Sequence, residues 1–291
     1  MKNILITGAY GQVGTAIRRL YKNNNKFNLI LSSLRIPDGE AGISLDVRNK
    51  HSINEMFNAF DIDVIIHLAA MTDVDGCEKN PKKAEEINVI GTGNFCDNFD
   101  GYFVYISTDY VFNGENGPYN ENSPVSPINV YGATKLEGEK LVLSKSGDNL
   151  IIRSNVIYDY SINSNASFLN WVIESLQNKK EINVVNDQIN NPTWAESLAM
   201  AIFKSLEKRL SGVVHWADKD ILNRYEFALK IAKSFNLDSK LISPISTSDL
   251  KQEANRPLKS GLNNKFLSKK IKLNPKELDD SLLIIKNRIC K

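Results

Sequence analysis

Residues 7–14 read Thr7-Gly8-Ala9-Tyr10-Gly11-Gln12-Val13-Gly14, a Gly-x-x-Gly-x-x-Gly turn. An apolar run at residues 3–7 leads into the turn, and a helical pattern at residues 13–21 follows it. Glycines at such a strand-to-helix turn let the backbone approach a pyrophosphate, whose charge is met by N–H groups and the helix dipole. The turn predicts dinucleotide binding by Gly8, Tyr10, Gly11, Gln12 and Val13; the alternative is a structural turn.

Short apolar runs alternate with helical patterns through the first half of the chain. The predicted strands are residues 3–7, 27–32, 64–69, 102–107 and 150–153, and the predicted helices between them are residues 13–21, 52–60, 81–95 and 131–144. This alternation predicts an α/β fold, a Rossmann-type doubly wound parallel sheet with right-handed crossovers.

The alternation of apolar runs and helical patterns becomes less regular after residue 155. Polar stretches lie there among predicted helices at residues 195–209 and 224–235. We therefore expect residues 1–155 to form the NAD(P)-binding Rossmann domain, with residues 182–215 returning to it. Residues 156–181 and 216–291 are expected to form mainly a smaller C-terminal substrate-binding region.

The composition excludes several classes of protein. Among 291 residues, Lys+Arg 36 against Asp+Glu 34 leave a net charge of +2, too balanced for nucleic-acid binding. No apolar run approaches the roughly 18 residues of a membrane span. The 3 cysteines are widely spaced and lack a Cys-x-x-Cys pair, and no carboxylates cluster convincingly, so we predict no disulfide framework and no metal. We expect a reduced, cytoplasmic protein.

The end of the second predicted strand bears on cofactor choice. It reads Leu31-Ser32-Ser33-Leu34-Arg35, with no carboxylate for the ribose 2′-hydroxyl of NAD. Ser33 and Arg35 therefore favour the 2′-phosphate of NADPH, and NADH is the alternative if Arg35 is only a surface residue. Asp46 and Val47 precede the next helix; Asp46 suits either the adenine amino group or a helix cap through Ser52.

The chemistry is predicted where later strands end. The run Asn129-Val130-Tyr131-Gly132-Ala133-Thr134-Lys135 places Tyr131 and Lys135 on one helix face. Thr108 follows a strand, where its hydroxyl can hydrogen-bond a carbonyl. A tyrosine, whose pKa is about 10, needs a neighbouring ammonium to act as a general acid near neutral pH. The order of these parts predicts a nicotinamide-dependent reductase; the alternatives are a surface Tyr/Lys pair and a Thr cap.

Over nearly its whole length the chain resembles the extended short-chain dehydrogenase/reductases, specifically the dTDP-4-dehydrorhamnose reductase family. The similar stretches are Gly11-Gln12-Val13-Gly14, Ala69-Ala70-Met71-Thr72-Asp73-Val74-Asp75, Ile87-Asn88, Ile106-Ser107-Thr108-Asp109-Tyr110-Val111-Phe112, Asn129-Val130-Tyr131-Gly132, Asn186-Asp187-Gln188 and Arg256-Pro257. The Ser-Thr-Asp-Tyr-Val-Phe run is specific to this family rather than to reductases at large.

The resemblance implies that NADPH reduces the C4 ketone of a nucleotide-linked 4-keto-6-deoxysugar, in deoxysugar and cell-surface polysaccharide biosynthesis. Tyr131 would supply the proton, Thr108 would polarise the carbonyl, and Lys135 would hold the nicotinamide ribose and lower the pKa of Tyr131. Ala69 and Ala70 would lie against the cofactor. The substrate would contact Thr72, Val74, Thr108, Asp109, Asn155 and Val156. A homodimer through the helices at residues 81–99 and 131–144 is a further expectation.

The chain departs from the family on its sugar-facing wall. The family reads Arg-Thr-Ser-Trp-Val-Tyr where this chain has Arg153-Ser154-Asn155-Val156-Ile157-Tyr158, so Val156 replaces a tryptophan. The Gly-x-Asn-Phe that follows is also eroded, at residues 164–168. Loss of the flat indole suggests that the site admits a different or bulkier hexose.

Two other functions are weighed against the reductase. The segments Gly212-Val213-Val214-His215-Trp216 and Arg224-Tyr225-Glu226 are also similar to the regulatory β subunit of methionine adenosyltransferase, which binds NADP as a partner protein. His215 is expected to be a strand residue and not a catalyst. A sugar-nucleotide epimerase would require tightly held NAD, against which Arg35 argues.

Overall fold

The structure, a computed structural model, describes residues 1–161 and 167–289. The strands are β1 (Lys2–Thr7), β2 (Phe27–Ser33), β3 (Ile43–Ser44), β4 (Val64–His67), β5 (Tyr102–Thr108), β6 (Asn149–Ser154), β7 (Ile157–Tyr158), β8 (Ile182–Val185), β9 (Ile189–Asn190), β10 (Thr193–Trp194), β11 (Gly212–His215), β12 (Leu222–Asn223) and β13 (Ile242–Ile245). Seven of them form the main sheet.

The helices surround this sheet and form the second region. They are α1 (Gln12–Tyr21), α2 (Lys50–Ala59), α3 (Val74–Lys79), α4 (Pro81–Glu85), α5 (Gly91–Cys96), α6 (Val130–Ser144), α7 (Phe168–Gln177), α8 (Ala195–Glu207), α9 (Arg224–Phe235), α10 (Thr247–Leu250), α11 (Lys265–Ile271) and α12 (Leu278–Ile289). Short 3-10 turns span Asp109–Val111 and Ser239–Leu241, and a π-helix spans Glu86–Ile90.

The main sheet is parallel and has the order β11-β6-β5-β4-β1-β2-β3. Every residue of β4 and β5 is buried, as expected of strands covered by helices on both faces. One apolar cluster joins the sheet to α1, α8 and α11, and another joins it to α2, α5 and α6. The predicted doubly wound fold is confirmed, and its strand order reverses between β1 and β4.

The ends of the predicted strands and helices agree with the observed ends to within about two residues, with one exception. The single helix predicted over residues 81–95 is interrupted by the π-helix at Glu86–Ile90. Asn88 lies in this wider turn, and its side chain bonds the main chain of Met71 instead of remaining on a regular helix face. Such π-bulges are frequent at functional sites.

The second region has its own apolar core, made mainly by α7, α9, α12, β8 and β13. β8 pairs with β13 in a separate two-stranded sheet, because its apolar residues Ile182 and Val184 pack into this second core. The chain returns to the main sheet at α8 and β11, and not at residue 182 as the sequence suggested. In the described residues, no helix is both long and apolar enough to cross a membrane.

Candidate active site

A cleft of about 750 Å³ opens at the carboxyl ends of the main-sheet strands, around β1 and β4, between which the strand order reverses. Ligands of open α/β sheets bind at this position. The cleft collects most of the residues predicted from the sequence: Gly8, Gly11, Gln12, Val13, Ala69, Ala70, Thr72, Val74, Thr108, Asp109, Tyr131, Lys135, Asn155 and Val156.

The glycine turn has the geometry of an anion cradle. Gly8 has a φ of 65°, and a Cβ there would lie 2.9 Å from the backbone nitrogen of Ala69, so the loops after β1 and β4 meet only because Gly8 has no side chain. Gly11 begins α1 without a side-chain cap, and the first turn of α1 has no acidic residue. The free N–H groups and the positive dipole end of α1 therefore face the cleft, where they can bind a pyrophosphate. These residues fit a dinucleotide.

Two predicted cofactor residues also hold the turn in place. The side-chain amide of Gln12 donates to the carbonyl of Ile157 (3.2 Å) and accepts from the backbone N–H of Asp159 (2.8 Å). The Tyr10 hydroxyl donates to the carbonyl of Ala41, and the guanidinium of Arg18 lies 4.3 Å from the ring centroid of Tyr10. Gln12 thus links the cradle to β7, while Tyr10 packs toward the loop after β2.

Ser33 and Arg35, which were predicted to bind the 2′-phosphate, lie outside the cleft. Arg35 is exposed beyond the end of β2 and forms no salt bridge within the described part of the chain. Ser33 is half-buried at the last position of β2, and its carbonyl accepts from Leu45. A free guanidinium at this strand end is what a 2′-phosphate requires.

Asp46 does not cap the following helix, which corrects one of the two sequence interpretations. Asn49 is the cap of α2, and its side chain accepts from the backbone N–H of Ser52. The Asp46 carboxylate is held instead by Arg48, whose hydrogen bonds lower the pKa of Asp46. Val47 is buried, and its carbonyl accepts from Asn94, whereas Asp46 lines a separate shallow groove.

Thr108 ends β5, and its position follows from the chain reversal that comes next. Its hydroxyl accepts from the backbone N–H of Tyr110 (3.2 Å) and donates to a carboxylate oxygen of Asp109 (3.1 Å). A residue at the end of a buried parallel strand has little freedom to move. The Thr108 hydroxyl is consequently held in the cleft near Tyr131, whose pKa it lowers.

Helix α6 approaches β5 closely because two of its residues are glycines. A Cβ at Gly132 would lie 2.0 Å from the carbonyl oxygen of Tyr110, and one at Gly138 would lie 2.2 Å from the hydroxyl of Tyr105. Asn129 caps the helix by accepting from the backbone N–H of Gly132 (2.8 Å). Tyr131, in the first turn, is thereby held against the end of β5.

Lys135 is 3% exposed, and its ammonium lies 3.9 Å from the ring centroid of Tyr105. Burial lowers the pKa of Lys135 to about 7, and the charge of Glu139 opposes this shift. Burial raises the pKa of Tyr131 above its ordinary value, while Thr108 lowers it. The lowering of this pKa by Lys135 stays a prediction.

Asn88 ties the cleft loop after β4 to α6. Its amide oxygen accepts from the backbone N–H of Met71 (2.7 Å), and its amide nitrogen donates to the carbonyl of Met71 (3.1 Å) and to the hydroxyl of Thr134 (3.1 Å). This side chain therefore fixes the segment that carries Ala69, Ala70 and Thr72 relative to the helix that carries Tyr131.

Asp109 is buried beside Thr108. Its second carboxylate oxygen accepts from the hydroxyl of Ser260 (2.5 Å), which comes from a distant loop. Burial raises the pKa of Asp109 to about 6, against the lowering effect of these hydroxyl hydrogen bonds. Asp109 thus links the end of β5 to the loop that carries Ser260.

Asn155 and Val156, where the chain departs from the family sequence, form part of the cleft wall, and the backbone at Val156 is unusual. Val156 has a φ of 43°, in the left-handed region that a β-branched residue rarely adopts. Its carbonyl accepts from the backbone N–H of Thr193, while the side chain of Asn155 bonds Asn191 (3.0 Å) and Thr193 (3.3 Å). Both residues line the cleft, but the Asn155 amide is already engaged in this internal network. The eroded family stretch includes residues 164–166, which lie outside the described residues.

Several cleft residues were not predicted from the sequence. They come from the second region: Phe168, Trp171, Gln188, Arg224, Gln252 and Arg256. They are far apart in the chain and share no motif. Gln188, Arg224 and Arg256 lay within stretches noted for family likeness, and Phe168 ends the eroded stretch at residues 164–168. In the described residues no group of three or more His, Cys, Asp or Glu side chains is arranged to hold a metal ion.

A family model described as the RmlD substrate binding domain matches residues 1–287. The chain belongs to this family. Among relatives, the spore coat polysaccharide biosynthesis protein SpsK of Bacillus subtilis (strain 168) is 31% identical over 271 residues, which cover 92% of this chain and 91% of that protein. Methionine adenosyltransferase 2 subunit beta of Bos taurus is 32% identical over 257 residues, 85% of this chain and 76% of that protein.

A solved structure of this family is also similar. It is the dTDP-4-dehydrorhamnose reductase from Bacillus anthracis str. Ames in complex with NADP, which is 30% identical, with a TM-score of 0.90 and coverage of 99% of this chain and 100% of that one. The family predicted from the sequence motifs is therefore confirmed.

Proposed function

We propose that this chain is an NADPH-dependent sugar-nucleotide oxidoreductase that reduces the C4 ketone of a nucleotide-linked 4-keto-6-deoxysugar. The observation that carries the proposal is that Thr108, Tyr131 and Lys135 line one cleft together with the glycine cradle. Similarity to the reductase crystallised with NADP and to a polysaccharide biosynthesis protein supports the same activity and NADPH as cofactor.

The proposed chemistry assigns one task to each side chain. Bound NADPH supplies the hydride that adds to the carbonyl carbon. The Thr108 hydroxyl, which donates to Asp109 in this structure, turns its hydrogen to the carbonyl oxygen and polarises it, and the Tyr131 hydroxyl then protonates the oxygen as it becomes an alcohol. Burial raises the pKa of Tyr131, so Tyr131 holds its proton in the neutral range, and the ammonium of Lys135, one turn along α6, is the group proposed to lower this pKa so that the proton can be transferred.

The test is NADPH oxidation by the purified protein with enzymatically generated dTDP-4-keto-6-deoxysugar. Absorbance reports loss of the reduced cofactor, and mass spectrometry reports the reduced sugar nucleotide. We expect turnover with this substrate and none with dTDP-glucose, which has no ketone. Tight NADPH binding without reduction of any nucleotide-linked 4-ketosugar would contradict the proposal.

A second candidate is a regulatory subunit, favoured by the 32% identity to methionine adenosyltransferase 2 subunit beta. Such a protein would bind NADP, reduce no ketosugar and form a complex with a synthetase. Size-exclusion chromatography with a methionine adenosyltransferase catalytic subunit separates the two candidates. The reductase proposal predicts separate elution and ketosugar turnover.

We also propose that the protein works in the cytoplasm, where NADPH and sugar nucleotides are available. Its described cysteines, Cys77 and Cys96, are free thiols, as suits a reducing compartment. A homodimer through the surfaces of α4, α5 and α6 stays a prediction, for which light scattering of the purified protein is the measurement.

A further inference from the structure

Asp159 lies directly after β7 and is 3% exposed. Its carboxylate accepts from the guanidinium of Arg19 on α1 (2.7 Å) and from that of Arg288 on α12. Glu196, in the first turn of α8, accepts from the same two guanidinium groups, at 2.5 Å from Arg19 and 2.8 Å from Arg288. Two carboxylates and two guanidinium groups therefore form a closed cycle, in which each charge contacts both of the opposite charges.

This cycle of four charges joins the two regions of the molecule. Arg19 and Glu196 lie on α1 and α8, which pack on the main sheet, whereas Arg288 lies on α12, which packs in the second core. Charges in such a network order one another, so the network contributes more than isolated surface pairs do. Without Arg288, two carboxylates would share one guanidinium, and their repulsion would displace the Asp159 side chain.

The main chain of Asp159 contacts the glycine cradle. Its N–H donates to the side-chain oxygen of Gln12 (2.8 Å), and the side-chain nitrogen of Gln12 donates to the carbonyl of Ile157 (3.2 Å). Gln12 is the first residue of α1, next to Gly11, and it lines the cleft. The position of Asp159 therefore determines where the Gln12 side chain and the first turn of α1 lie.

Asp159 holds one face of α1 at two points. Gln12 and Arg19 are about two helical turns apart, so both side chains lie on the same face of the helix. The backbone of Asp159 bonds Gln12, and its carboxylate bonds Arg19. The carbonyl of Asp159 also accepts from the hydroxyl of Ser167 (2.7 Å), which is the cap of α7 and a further cleft residue. Asp159 thus ties the start of α1 to the start of α7.

We propose that Arg288 is a positioning residue for the dinucleotide and that it acts through Asp159 and Gln12. By completing the cycle of charges, Arg288 fixes Asp159, which in turn fixes the start of α1, where N–H groups meet the pyrophosphate. The helix α12 of the second region thereby sets the affinity of the glycine cradle for NADPH. The inference rests on the proposed function for its cofactor, and it adds a residue outside the cleft on which cofactor binding depends.

The experiment measures NADPH binding to the full chain by isothermal titration calorimetry. We expect Arg288→Gln to weaken NADPH binding about fivefold, within the range of coupling energies between groups of one hydrogen-bonded network. Arg288→Lys should recover part of the affinity, because it keeps the charge but lacks the planar guanidinium that contacts both carboxylates. Lys230→Gln is the matched control. It removes an ion pair between α9 and α12 that joins Lys230 to Asp279 (2.9 Å) and does not include Asp159, so NADPH should bind as it does to the wild type.

A double variant shows whether Arg288 acts through Gln12. Gln12→Ala removes the link between the cradle and Asp159, so the addition of Arg288→Gln to this variant should change NADPH affinity by less than about twofold. A general loss of stability would instead weaken NADPH binding by the same factor with and without Gln12.

Equal NADPH affinity of the wild type and Arg288→Gln, or an equal loss from Arg288→Gln in the Gln12→Ala background, would overturn the inference. Circular dichroism establishes that each variant is folded, and Arg288→Lys supplies the comparison if Arg288→Gln is not. These outcomes are separate from those of the proposed function. Ketosugar turnover with NADPH affinity that is insensitive to Arg288 rejects only the positioning role. Arg288-dependent NADPH binding without turnover rejects only the reductase activity.

Discussion

Thr108, Tyr131 and Lys135 lie on one buried parallel strand and one long helix, whereas the opposite wall is assembled from short, separate segments. That wall combines Val156 after β6 with residues from α7, α9 and the loop before Arg256. The first group is held by sheet register, an N-cap and two glycine contacts. The second depends on packing between elements distant in sequence. If the proposed function is right, the proton donor is fixed by the main sheet and α6, whereas the residues that contact the substrate depend on how the second region packs.

The strongest test of the rigid side is Tyr131→Phe. Removal of the hydroxyl removes the proton donor, so we expect the kcat for ketosugar reduction to fall by about 10³-fold, within the usual range for a general acid. NADPH affinity should change little. Tyr225→Phe on α9, outside the cleft, is the matched control and should keep its activity. A near-normal kcat in Tyr131→Phe would mean that Tyr131 is not the proton donor.

The next largest effect is expected at the ion pair that holds α6 to the sheet. Glu139 is 2% exposed and accepts from Arg153 (2.6 and 2.8 Å) and from Ser107. Glu139→Gln leaves the Arg153 charge buried without its partner, which should lower the free energy of unfolding by about 3 kcal/mol in urea denaturation.

The same helix offers a control for that measurement. Glu137 is exposed and pairs with Lys140 at the surface, so Glu137→Gln should change the free energy of unfolding by less than about 0.5 kcal/mol. Equal losses in the two variants would mean that the buried pair does not hold α6 in place.

Lys135 gives a pH-dependent prediction. Its pKa is about 7 in the folded protein and 10.5 ordinarily, so the folded state binds fewer protons between pH 7 and 10.5 and the free energy of unfolding rises with pH over that window. The cost of burying the ammonium is complete below pH 7. Lys135→Met should therefore be more stable than the wild type at pH 6, by on the order of 2 kcal/mol, and lose this advantage near pH 10.

Chemical denaturation at several pH values measures this difference. Lys140→Met on the exposed face of α6 is the control, for which no such pH-dependent gain is expected. A Lys135→Met advantage that is constant with pH would contradict the assignment of a depressed pKa to Lys135.

The sheet side could be predicted from the sequence for clear physical reasons. Short apolar runs must be buried strands, carboxyl ends of parallel strands meet at one edge, and residues four apart share a helix face. The π-helix could not be predicted, because Asn88 is drawn out of helical register by Met71, a tertiary contact. Arg224 could not be placed either, since α9 reaches the cleft only by packing on α7 and α12. Local patterns contain no information about such packing.

The smallest predicted effect concerns the wall. The φ of 43° at Val156 is strained for any residue with a Cβ. Val156→Gly and Val156→Ala both remove the valine side chain, but only glycine relieves the strain. We expect Val156→Gly to be the more stable variant by about 0.5–1 kcal/mol in urea denaturation, despite the higher entropy of an unfolded glycine. The reverse order would mean that the wall is not strained at this residue.

The most direct test of the central claim follows a labelled hydride. The wild type is incubated with NADPH in which both hydrogens at C4 of the nicotinamide are deuterium and with dTDP-4-keto-6-deoxysugar, and the product is analysed by NMR. The proposed hydride transfer predicts one deuterium, bonded to C4 of the sugar. A product without deuterium at C4, or no product while NADPH stays bound, would contradict it.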